Sequence, residues 1–558
     1  VAFDKAVGVG NRLGAVTINQ ADDVTISKAF SAASFNQPSA TMGTGVFQLD
    51  GDLNTSVGGI TISSDTVDLN ANVTTTAGGA NGKVTINAGA GGLDLADGKS
   101  ITTTAADAGT TSGAIDIDSD GEVNLVGNLV TTGVANTTGG SGAAGGAVTI
   151  DTTGAATISI SDITTTGGAS TATGGVGGAA GQIKLNTNAG VITLNSSTIT
   201  AAGGAGATAD DQGAGASITF SDAVVLAGGA AKIDTGATVG DIAFKSTVNS
   251  DQNAGKTASA LHAMTLIAGA GDIDFDAAVG GADKGELGAI TIESAKNVTA
   301  GSTIEAASLT VTSASAANLN NVFTTAAQAV TADAITLTGT AYATDATANS
   351  TITLTGPATL EQDTRMTASS VTFTDTLNSD DNGATTPASL ERTLDITGNA
   401  VFGGAVGGSV GGVDSLGSLT VSGTTAIDGG SVTTSGAQTY KDAVTLGAVT
   451  TLTSTDSGNI DFQSTLNGAY TLAVNTAGAT IFGDAVGSTD ELVSLTTDSA
   501  GTVQINGGSV KTSGGAGMVF NETATLGADT TLMAANKGAI TLAGTLNGAF
   551  ALTANTAG

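Results

Sequence analysis

The stretch "GAIDIDSDGEVNL", residues 113–125, contains the residue pattern from which the fold class is predicted. At first it resembles a calcium loop, because Asp116, Asp118 and Asp120 alternate and Gly121 follows, as in the first half of an EF-hand. An EF-hand also needs a bidentate glutamate at its twelfth position, where this chain has glycine. The EF-hand interpretation therefore fails, and the alternation needs another explanation.

The same residues alternate apolar and polar side chains. Asp116 separates Ile115 from Ile117, and "GEVNLVG" continues the alternation, which is typical of β-strands with one buried face. Helical spacing is hard to find in the chain, and its abundant Thr, Gly, Asn and Asp weaken helices. The stretch therefore predicts two short strands joined by a turn at residues 119–121, with the aspartates pointing outward.

Strands of this kind recur from about residue 60 to residue 226. The first strand of each unit, which we call the marker strand, advances in steps of 24, 31, 33, 35 and 35 residues. Most copies are followed by a second strand, by a third strand that opens with Ile-Thr or Val-Thr, and by a glycine-rich excursion such as "GGASTATGGVGGAAG". One unit is thus predicted to hold three short strands and one variable loop. The marker strands are at 60–62, 84–86, 115–117, 148–150, 183–185 and 218–220.

A second, longer repeat is marked by phenylalanine. Its motif reads "FDKAVG", "FDAAVG", "FGGAVG" and "FGDAVG", and a companion motif reads "GNIDFQSTLNG" from Gly458. Phe402 and Phe482 are 80 residues apart, and so are Leu446 and Leu526. The C-terminal part therefore has a period near 80 residues that contains several strands.

Regularly spaced short strands are compatible with a sandwich, a propeller or a solenoid. A sandwich generally needs larger side chains, and with 3% aromatic residues and no Trp a core of large side chains is not expected here. A propeller needs a fixed four-stranded blade, which the variable steps fit poorly. The sequence thus predicts an all-β protein, a parallel β-helix of many stacked coils of about 25 residues. Its glycine-rich loops would be inserted at one corner and point into solvent.

The repeats also predict how the chain is organised. We expect one continuous β-solenoid over residues 1–558, with a partial long repeat at 1–58 and units of about 24–35 residues at 59–226. Degenerate repeats would occupy residues 227–400, and repeats of about 80 residues would occupy 401–558. Both ends cut through repeats, so we expect this chain to be a segment of a longer one.

Charge and composition exclude several classes of function. The 49 acidic and 16 basic residues give a net charge of −33, which repels nucleic acids, and no basic cluster is present for an anionic lipid surface. No run of 18 apolar residues exists, so membrane insertion is not expected. The absence of cysteine excludes disulfides and thiolate zinc sites, and it is compatible with export.

The run from Phe402 through Ala469, with "FGGAVG", "SLTV", "GAQTYKDAVTLGAVTTLTS" and "LNGA", resembles the repeats of large secreted bacterial adhesins of the filamentous-haemagglutinin and autotransporter-passenger type. The resemblance is good over about the last 160 residues and looser elsewhere. It implies a right-handed parallel β-helix, export across a Gram-negative outer membrane, and a role in attachment or in a surface layer. The secretion domain typical of that family is not found in this sequence.

The candidate site residues are two aspartate triplets. Besides Asp116, Asp118 and Asp120, the stretch "GDIDFDAAV" places Asp272, Asp274 and Asp276 in the same pattern. The two interpretations are a weak non-EF calcium site and acidic outward positions before a turn. No cofactor is required on either interpretation, and calcium is the ion that the pattern admits.

Two other features of the sequence have ordinary structural explanations. Flat columns of stacked threonines could bind ice, but glycine-rich insertions interrupt them, so ordinary strand threonines are favoured. The single histidine, His262, is interpreted as a partly buried structural residue, and no catalytic residue is assigned.

The sequence therefore favours a non-enzymatic, extracellular structural or adhesive protein, secreted or at the surface of a Gram-negative cell. It would act as a rigid acidic rod whose partners are copies of itself, through lateral or end-to-end association, or surface glycans of a host. Two alternatives stay open, a self-assembling sheath, filament or surface-layer subunit and a β-helix polysaccharide lyase or hydrolase.

Overall fold

The structure, a computed structural model, describes residues 1–38, 44–251, 261–281, 285–345, 349–380, 391–408 and 414–556. It divides into two compact units, Val1–Ala307 and Ser308–Gly558, and the strand Ile304–Leu319 runs through the division. Apart from two short 3₁₀ turns, Gly79–Gly82 and Ala209–Asp211, the regular structure of these residues is β-strand. The strands pair in parallel with strands of the coil before and the coil after, so the predicted parallel β-solenoid is confirmed.

Each coil of unit 1 contributes one strand to each of three faces. The marker strands stack on one another as predicted, with Ile115 paired to Val84 on one side and to Val148 on the other. We call this the marker face; the second and third faces follow it in chain order. Ten successive pairings on the marker face link eleven levels, from Leu13–Thr17 to the end of Leu287–Ala300.

The strands of unit 1 are grouped here by face. The marker face holds Leu13–Thr17, Ile115–Ser119, Val148–Thr152, Ile183–Asn186, Ile218–Phe220, Ile242–Phe244 and Ile273–Phe275. The second face holds Ala2–Phe3, Val24–Ile26, Val46–Leu49, Val123–Leu125, Ile158–Ile160, Val191–Asn195, Ala223–Ala227 and Val248–Ser250. The third face holds Leu53–Thr55, Val73–Thr75, Ser100–Thr103, Asn128–Val130, Ile163–Thr164, Thr198–Thr200, Ala231–Asp234 and Met264–Ile267. Four bent strands serve two faces each: Phe30–Gln37, Ile60–Leu69, Val84–Leu95 and Leu287–Ala300.

Unit 2 is built in the same way, with first, second and third faces in chain order. Its first face holds Val322–Thr324, Ala341–Ala343, Leu419–Val421, Gln438–Tyr440, Ile460–Phe462, Ala479–Phe482, Thr502–Ile505, Thr523–Leu526 and Leu546–Asn547. Its second face holds Thr351–Thr355, Thr425–Ile427, Val444–Leu446, Leu466–Asn467, Thr530–Ala534 and Leu552–Thr556. Its third face holds Ala358–Leu360, Leu377–Ser379, Ser431–Thr434, Thr450–Ser454, Thr471–Thr476, Leu492–Thr497 and Ile540–Leu542. The bent strands are Gln328–Leu337, Thr364–Phe373, Leu394–Phe402 and Ser509–Phe520.

The core of unit 1 consists of columns of aliphatic side chains inside the coils. On the marker face, Ile117, Ile150 and Leu185 follow one another at successive levels, and each is 0% exposed. Their outward neighbours form polar columns, because side chains of a strand alternate between its two faces. A buried aliphatic side chain contributes about 1.5–3 kcal/mol, so one coil with a few of them is unstable alone and the stack is stabilised by the interfaces between coils.

The expectation that no large side chains form the core is wrong. The largest fully buried side chains are Tyr440 and eleven phenylalanines, and several of them stack in parallel columns. In unit 1, the rings of Phe220, Phe244 and Phe275 lie 4.8 and 5.1 Å apart with interplanar angles of 5° and 4°. In unit 2, Phe462 lies between Tyr440 and Phe482 at 5.4 and 5.7 Å. Rings at the same strand position are separated by about the inter-strand distance, close to their stacking distance, so a few aromatic residues suffice to build a column.

The 80-residue repeat of unit 2 does not contain a whole number of coils. Phe402 lies on the second face, where it pairs with Ile427, whereas Phe482 lies on the first face, where it pairs with Phe462. Leu446 and Leu526 are displaced in the same way. Eleven strand positions separate the two phenylalanines, which is three coils and two thirds of a fourth. Successive copies of the motif therefore lie on different faces of the coil.

Replacing Ile150 by alanine should remove a 0% exposed side chain from the marker-face column and leave a cavity between two isoleucine-sized neighbours. We expect a loss of about 2–5 kcal/mol in the free energy of unfolding of unit 1. Thr149→Ala, on the outward side of the same strand, is the matched control and should cost under about 1 kcal/mol. Urea denaturation followed by circular dichroism measures both, and equal losses would contradict the assignment of inner and outer columns.

Candidate functional site

The first aspartate triplet lies where the sequence predicts it. Asp116 and Asp118 point outward from the strand Ile115–Ser119, and the chain bends at Asp120 and Gly121. Ser119, which the sequence placed in the turn, is the last residue of the strand. Its hydroxyl is 3% exposed and holds the bend by donating to the carbonyl oxygen of Gly121 at 2.9 Å.

Each aspartate of this triplet already has a partner or a neighbour from an adjacent coil. The ammonium group of Lys83 lies 2.6 Å from Asp116 Oδ2, and the hydroxyl of Thr153 donates to Asp120 Oδ1 at 2.8 Å. Asp118 is paired in register with Asp151 of the next coil. Burial raises the pKa of Asp118, the charges of Asp116 and Asp151 raise it further, and Lys83 lowers it.

A groove of about 600 Å³ opens beside this triplet. Its carboxylates are those of Asp65, Asp118, Asp120 and Asp151, and Asn87 and Thr153 add amide and hydroxyl groups. Asp151 accepts hydrogen bonds from Asn186 Nδ2 at 2.9 Å and from Lys184 Nζ at 3.4 Å. The groove is therefore polar and acidic, and its wall is supplied by successive coils.

Asp65 and Asp151 were missed at the sequence level. The signal for Asp151 was present, because it follows Val148 by the same three residues that separate Asp118 from Ile115. Extending the alignment of the marker strands by one residue at the C-terminal end would have placed Asp118 and Asp151 in one outward column. Asp65 lies at the bend of the strand Ile60–Leu69, where a register shift breaks this alignment, so no comparable signal exists for it.

The second triplet has the same arrangement one coil after Lys245. The ammonium group of Lys245 lies 3.1 Å from Asp276 Oδ2, and Asn297 Nδ2 donates to Asp272 Oδ1 at 2.8 Å. Burial raises the pKa of Asp274, whereas a hydrogen bond with Thr299 and the charge of Lys245 lower it. In both triplets a lysine of the preceding coil thus supplies part of the positive charge that a metal ion would supply.

Within the described residues, no group of three or more His, Asp or Glu side chains is arranged to hold a metal ion. Calcium binding by the two triplets stays a prediction. His262 is half-buried, and its Nε2 lies 2.8 Å from Asp251 Oδ1, so it is placed where a structural ion pair can form.

The glycine-rich excursions form the most unusual surface of unit 1. Those of three successive coils, residues 131–147, 165–182 and 201–217, leave the third face and return to the marker face, and we call them the glycine arms. Their tips are exposed, as expected for insertions at one corner. The arms themselves are bonded to one another rather than directed separately into solvent.

The glycine arms are hydrogen-bonded in two directions. Along the coil axis, Gly133 N–H donates to Thr166 O at 2.9 Å, and Gly142 N–H donates to Val176 O at 2.9 Å. Across the arms, Gly168 N–H donates to Ala143 O, Gly178 N–H to Gly168 O, and Gly204 N–H to Gly178 O, each at 2.8 Å. The three arms therefore form one continuous layer that is held by backbone groups.

Glycine is required in this layer because neighbouring backbones approach closely. A Cβ atom on Gly178 would lie 1.8 Å from the carbonyl oxygen of Ala143, and one on Gly168 would lie 2.1 Å from that of Val134. In folded proteins a Cβ atom is essentially never found within 3.0 Å of a non-bonded heavy atom. The glycine content of these segments is thus a packing requirement.

Inward threonines fix the base of the arms. The hydroxyls of Thr131 and Thr165, each 0% exposed, donate to the carbonyl oxygens of Gly146 and Gly181 in the first two arms. Thr103 and Thr235 make the same kind of bond, to the carbonyl oxygens of Gly113 and Gly240, in the coils before and after the arms. These bonds close the corner through which each excursion returns. In the threonine-rich third strands, outward threonines form columns and inward threonines hold the corner closed. Only the outward threonines were predicted from the sequence.

The layer predicts a sharp sensitivity to one added methyl group. Gly178→Ala should force the arms apart and lower the free energy of unfolding of unit 1 by about 1–3 kcal/mol. Gly14→Ala, at a strand position where a Cβ meets nothing within 4 Å, is the matched control and should have no comparable cost. Hydrogen exchange of residues 131–217 measures the effect, and unchanged protection in Gly178→Ala would refute the close packing.

Calcium binding can be tested on the full chain. If the triplets bind calcium, 1 mM Ca²⁺, a concentration at about the affinity of weak extracellular modules, should raise the midpoint of thermal unfolding, and chelator should reverse the rise. Asp118→Asn combined with Asp274→Asn should abolish it, whereas Asp97→Asn, an exposed aspartate outside both triplets, should not. A midpoint that is insensitive to calcium would leave the aspartates as outward residues before turns.

Comparisons with known proteins give no family for the chain. No family model matches it, and neither the curated proteins nor the solved structures yield a significant match. In the described part of the chain, no helix is long and apolar enough to cross a lipid bilayer. The site is therefore interpreted from its own geometry.

Proposed function

We propose that this chain is a non-enzymatic, extracellular structural or adhesive protein whose solenoid units hold binding groups in fixed arrays. The observation that carries the proposal is the layer of glycine arms. Its backbone hydrogen bonds fix three successive arms relative to one another, so their tips are presented at a constant spacing of about 4.8 Å per coil.

The chemistry of the tips favours polar partners. Exposed hydroxyl groups of Thr137, Thr138, Ser141, Thr171 and Thr173 lie on two neighbouring tips, and the third carries Thr208 and Asp210. Hydroxyl and carboxylate groups without a large apolar surface suit hydrogen bonding to glycans. An array of weak identical contacts gains affinity through multivalency, which is how such a surface would attach a cell.

The adhesin resemblance of residues 402–469 supports the same proposal. It would place the protein outside a Gram-negative cell, bound to surface glycans or associated with copies of itself. The net charge of −33 favours divalent cations as bridges between copies.

A second candidate function is favoured by the groove at Asp118. Carboxylate pairs act in polysaccharide hydrolysis, where one group with a raised pKa serves as acid and the other stays charged. Asp118 has a raised pKa, and Asp151, its neighbour in register, is close to Lys184. The groove lacks aromatic residues among those that line it, which provides no stacking platform for a sugar ring.

The proposal is tested by attachment of the full chain to an array of surface glycans. Thr137→Ala, Thr171→Ala and Thr173→Ala together should reduce attachment by about tenfold or more, because contacts in a multivalent array act together. Thr445→Ala, Thr496→Ala and Thr525→Ala, three exposed threonines of unit 2, are the matched control and should leave attachment unchanged.

Other outcomes of this experiment discriminate between the candidates. Ordered lattices or fibres in electron microscopy, without glycan binding, would favour the self-assembling sheath or surface layer. Release of reducing ends from acidic polysaccharides that is lost in Asp118→Asn would favour the hydrolase. The absence of both glycan binding and assembly would overturn the adhesive proposal.

A further inference from the structure

Glu522 is an exception to the burial pattern of unit 2. Its side chain and backbone together are 4% exposed, and it is the one buried ionisable acid or base among the described residues, tyrosines aside. Carboxylates are almost never buried unless they are paired, because the charged form loses its hydration. Its place in the chain, between the strands Ser509–Phe520 and Thr523–Leu526, puts it at a corner between two faces.

The carboxyl group of Glu522 connects two successive coils. The hydroxyl of Thr497, which is 0% exposed and ends the strand Leu492–Thr497 of the preceding coil, donates to Glu522 Oε2 at 2.5 Å. Beside it, Asn521 Nδ2 donates to the carbonyl oxygen of Thr497 at 2.7 Å. An earlier corner of unit 2 shows the usual arrangement, in which the hydroxyl of Thr476 donates to the neutral carbonyl of Gly458 at 2.6 Å. Thr476 thus bonds a neutral acceptor in the coil before it, whereas Thr497 bonds an ionisable acceptor in the coil after it.

A second carboxylate faces the same corner. Asp498 follows Thr497, and its Oδ1 is buried without a hydrogen-bond partner. Burial raises the pKa of Glu522, and the charge of Asp498 also raises it, whereas hydrogen bonds from the hydroxyl of Thr497 and from the backbone N–H groups of Glu522 and Asn521 lower it. A buried carboxylate oxygen without a donor is costly, and a protonated Glu522 is a donor that can satisfy it.

The surrounding elements supply no counter-charge. The strands packed before and after the corner, Thr471–Thr476, Ile540–Leu542 and Leu546–Asn547, contain no ionisable residue. Lys511, the cation of the strand that precedes Glu522, makes no ion pair in the described structure. No cation of these strands is therefore placed to balance the carboxyl group of Glu522.

We propose that protonated Glu522 bridges Thr497 and Asp498 and forms a pH-dependent lock between the coil of Leu492–Thr497 and the coil of Thr523–Leu526. With the proton present, Glu522 donates to Asp498 Oδ1 and accepts from Thr497, so each buried oxygen has a partner. When the proton leaves to solvent, two like charges face each other at a buried corner, and the two coils open locally.

The direction of the pH effect follows from linkage. Because the pKa of Glu522 is higher in the folded protein than in the unfolded chain, its contribution to stability is complete at acidic pH, below the pKa of the unfolded chain. The contribution is lost as pH rises through the higher pKa of the folded state. The two coils are therefore closed most firmly in mild acid and open first as the pH rises through the folded-state pKa of Glu522.

Hydrogen exchange of the full chain between pH 4.5 and 8.5, corrected for intrinsic exchange, tests the lock. Protection of Leu492–Thr497 and Thr523–Leu526 should fall by up to about tenfold per pH unit while Glu522 titrates, the limit set by one linked proton. The strand Val191–Asn195 of unit 1, which holds no ionisable residue and pairs with two strands that hold none, is the internal reference and should stay level.

Variants separate the lock from general pH effects. Glu522→Gln keeps the shape and a donor for Asp498, so it should remove the pH dependence and keep the strands protected up to pH 8.5. Asp498→Asn should weaken the dependence, and it serves as the second variant if Glu522→Gln does not fold. The exposed Asp490→Asn is the matched control and should keep the profile of the natural chain. A flat profile in the natural chain, or the same slope in Glu522→Gln and Asp498→Asn, would overturn the proposal.

Discussion

Backbone hydrogen bonds between the same strand positions of successive coils hold each coil on the next and set the positions of all other contacts. They fix the spacing of neighbouring strands at about 4.8 Å. Burial of the inner side chains then fixes the register of each paired segment, because a shift of one residue would exchange the inner and outer side chains. Every side chain consequently has two fixed neighbours, one in the coil before and one in the coil after. The aliphatic columns, the aromatic columns, the lysine–aspartate pairs and the glycine arms are all consequences of this relation.

Much of this relation could be predicted from the sequence. The marker strands have a clear alternation and a clear spacing, so the pairing of Ile115 with Val84 and Val148 follows from alignment alone. The outward direction of Asp116 and Asp118 follows from the same alternation. The glycine-rich segments were placed at the correct corner, because nothing else in a three-stranded coil tolerates such variable length.

The remainder depends on neighbours that a single coil does not reveal. The sequence shows few aromatic residues, but whether Phe220, Phe244 and Phe275 meet depends on the order of faces. Lys83 and Asp116 are 33 residues apart, and their contact arises only when one coil lies on the next. The glycine arms have no alternation of apolar and polar residues. Neither their pairing nor the close approach of backbones at Gly178 could therefore be predicted from the sequence, since both depend on how successive arms lie against one another.

The carboxylates of the chain have more than one structural role. Some carboxylates pair with lysines of the preceding coil, and others accept backbone N–H groups at corners, as Asp162 does from Thr198 at 2.8 Å. These aspartates are part of the scaffold, so the net charge overstates the number of groups available to a partner. A binding surface is better sought where polar side chains lack such scaffold roles.

The eleven-strand length of the 80-residue repeat bears on how such a chain can change its length. If a gene gained or lost one block by unequal recombination, every strand downstream would move to a neighbouring face of the coil, to the preceding face after a gain and to the following face after a loss. The move is tolerable because each face already accepts the same inward aliphatic and aromatic residues, as the placement of Phe402 and Phe482 on different faces demonstrates. Duplication therefore needs no whole number of turns, and an array of these blocks can lengthen or shorten over generations while each new copy displays its outer residues in a new direction.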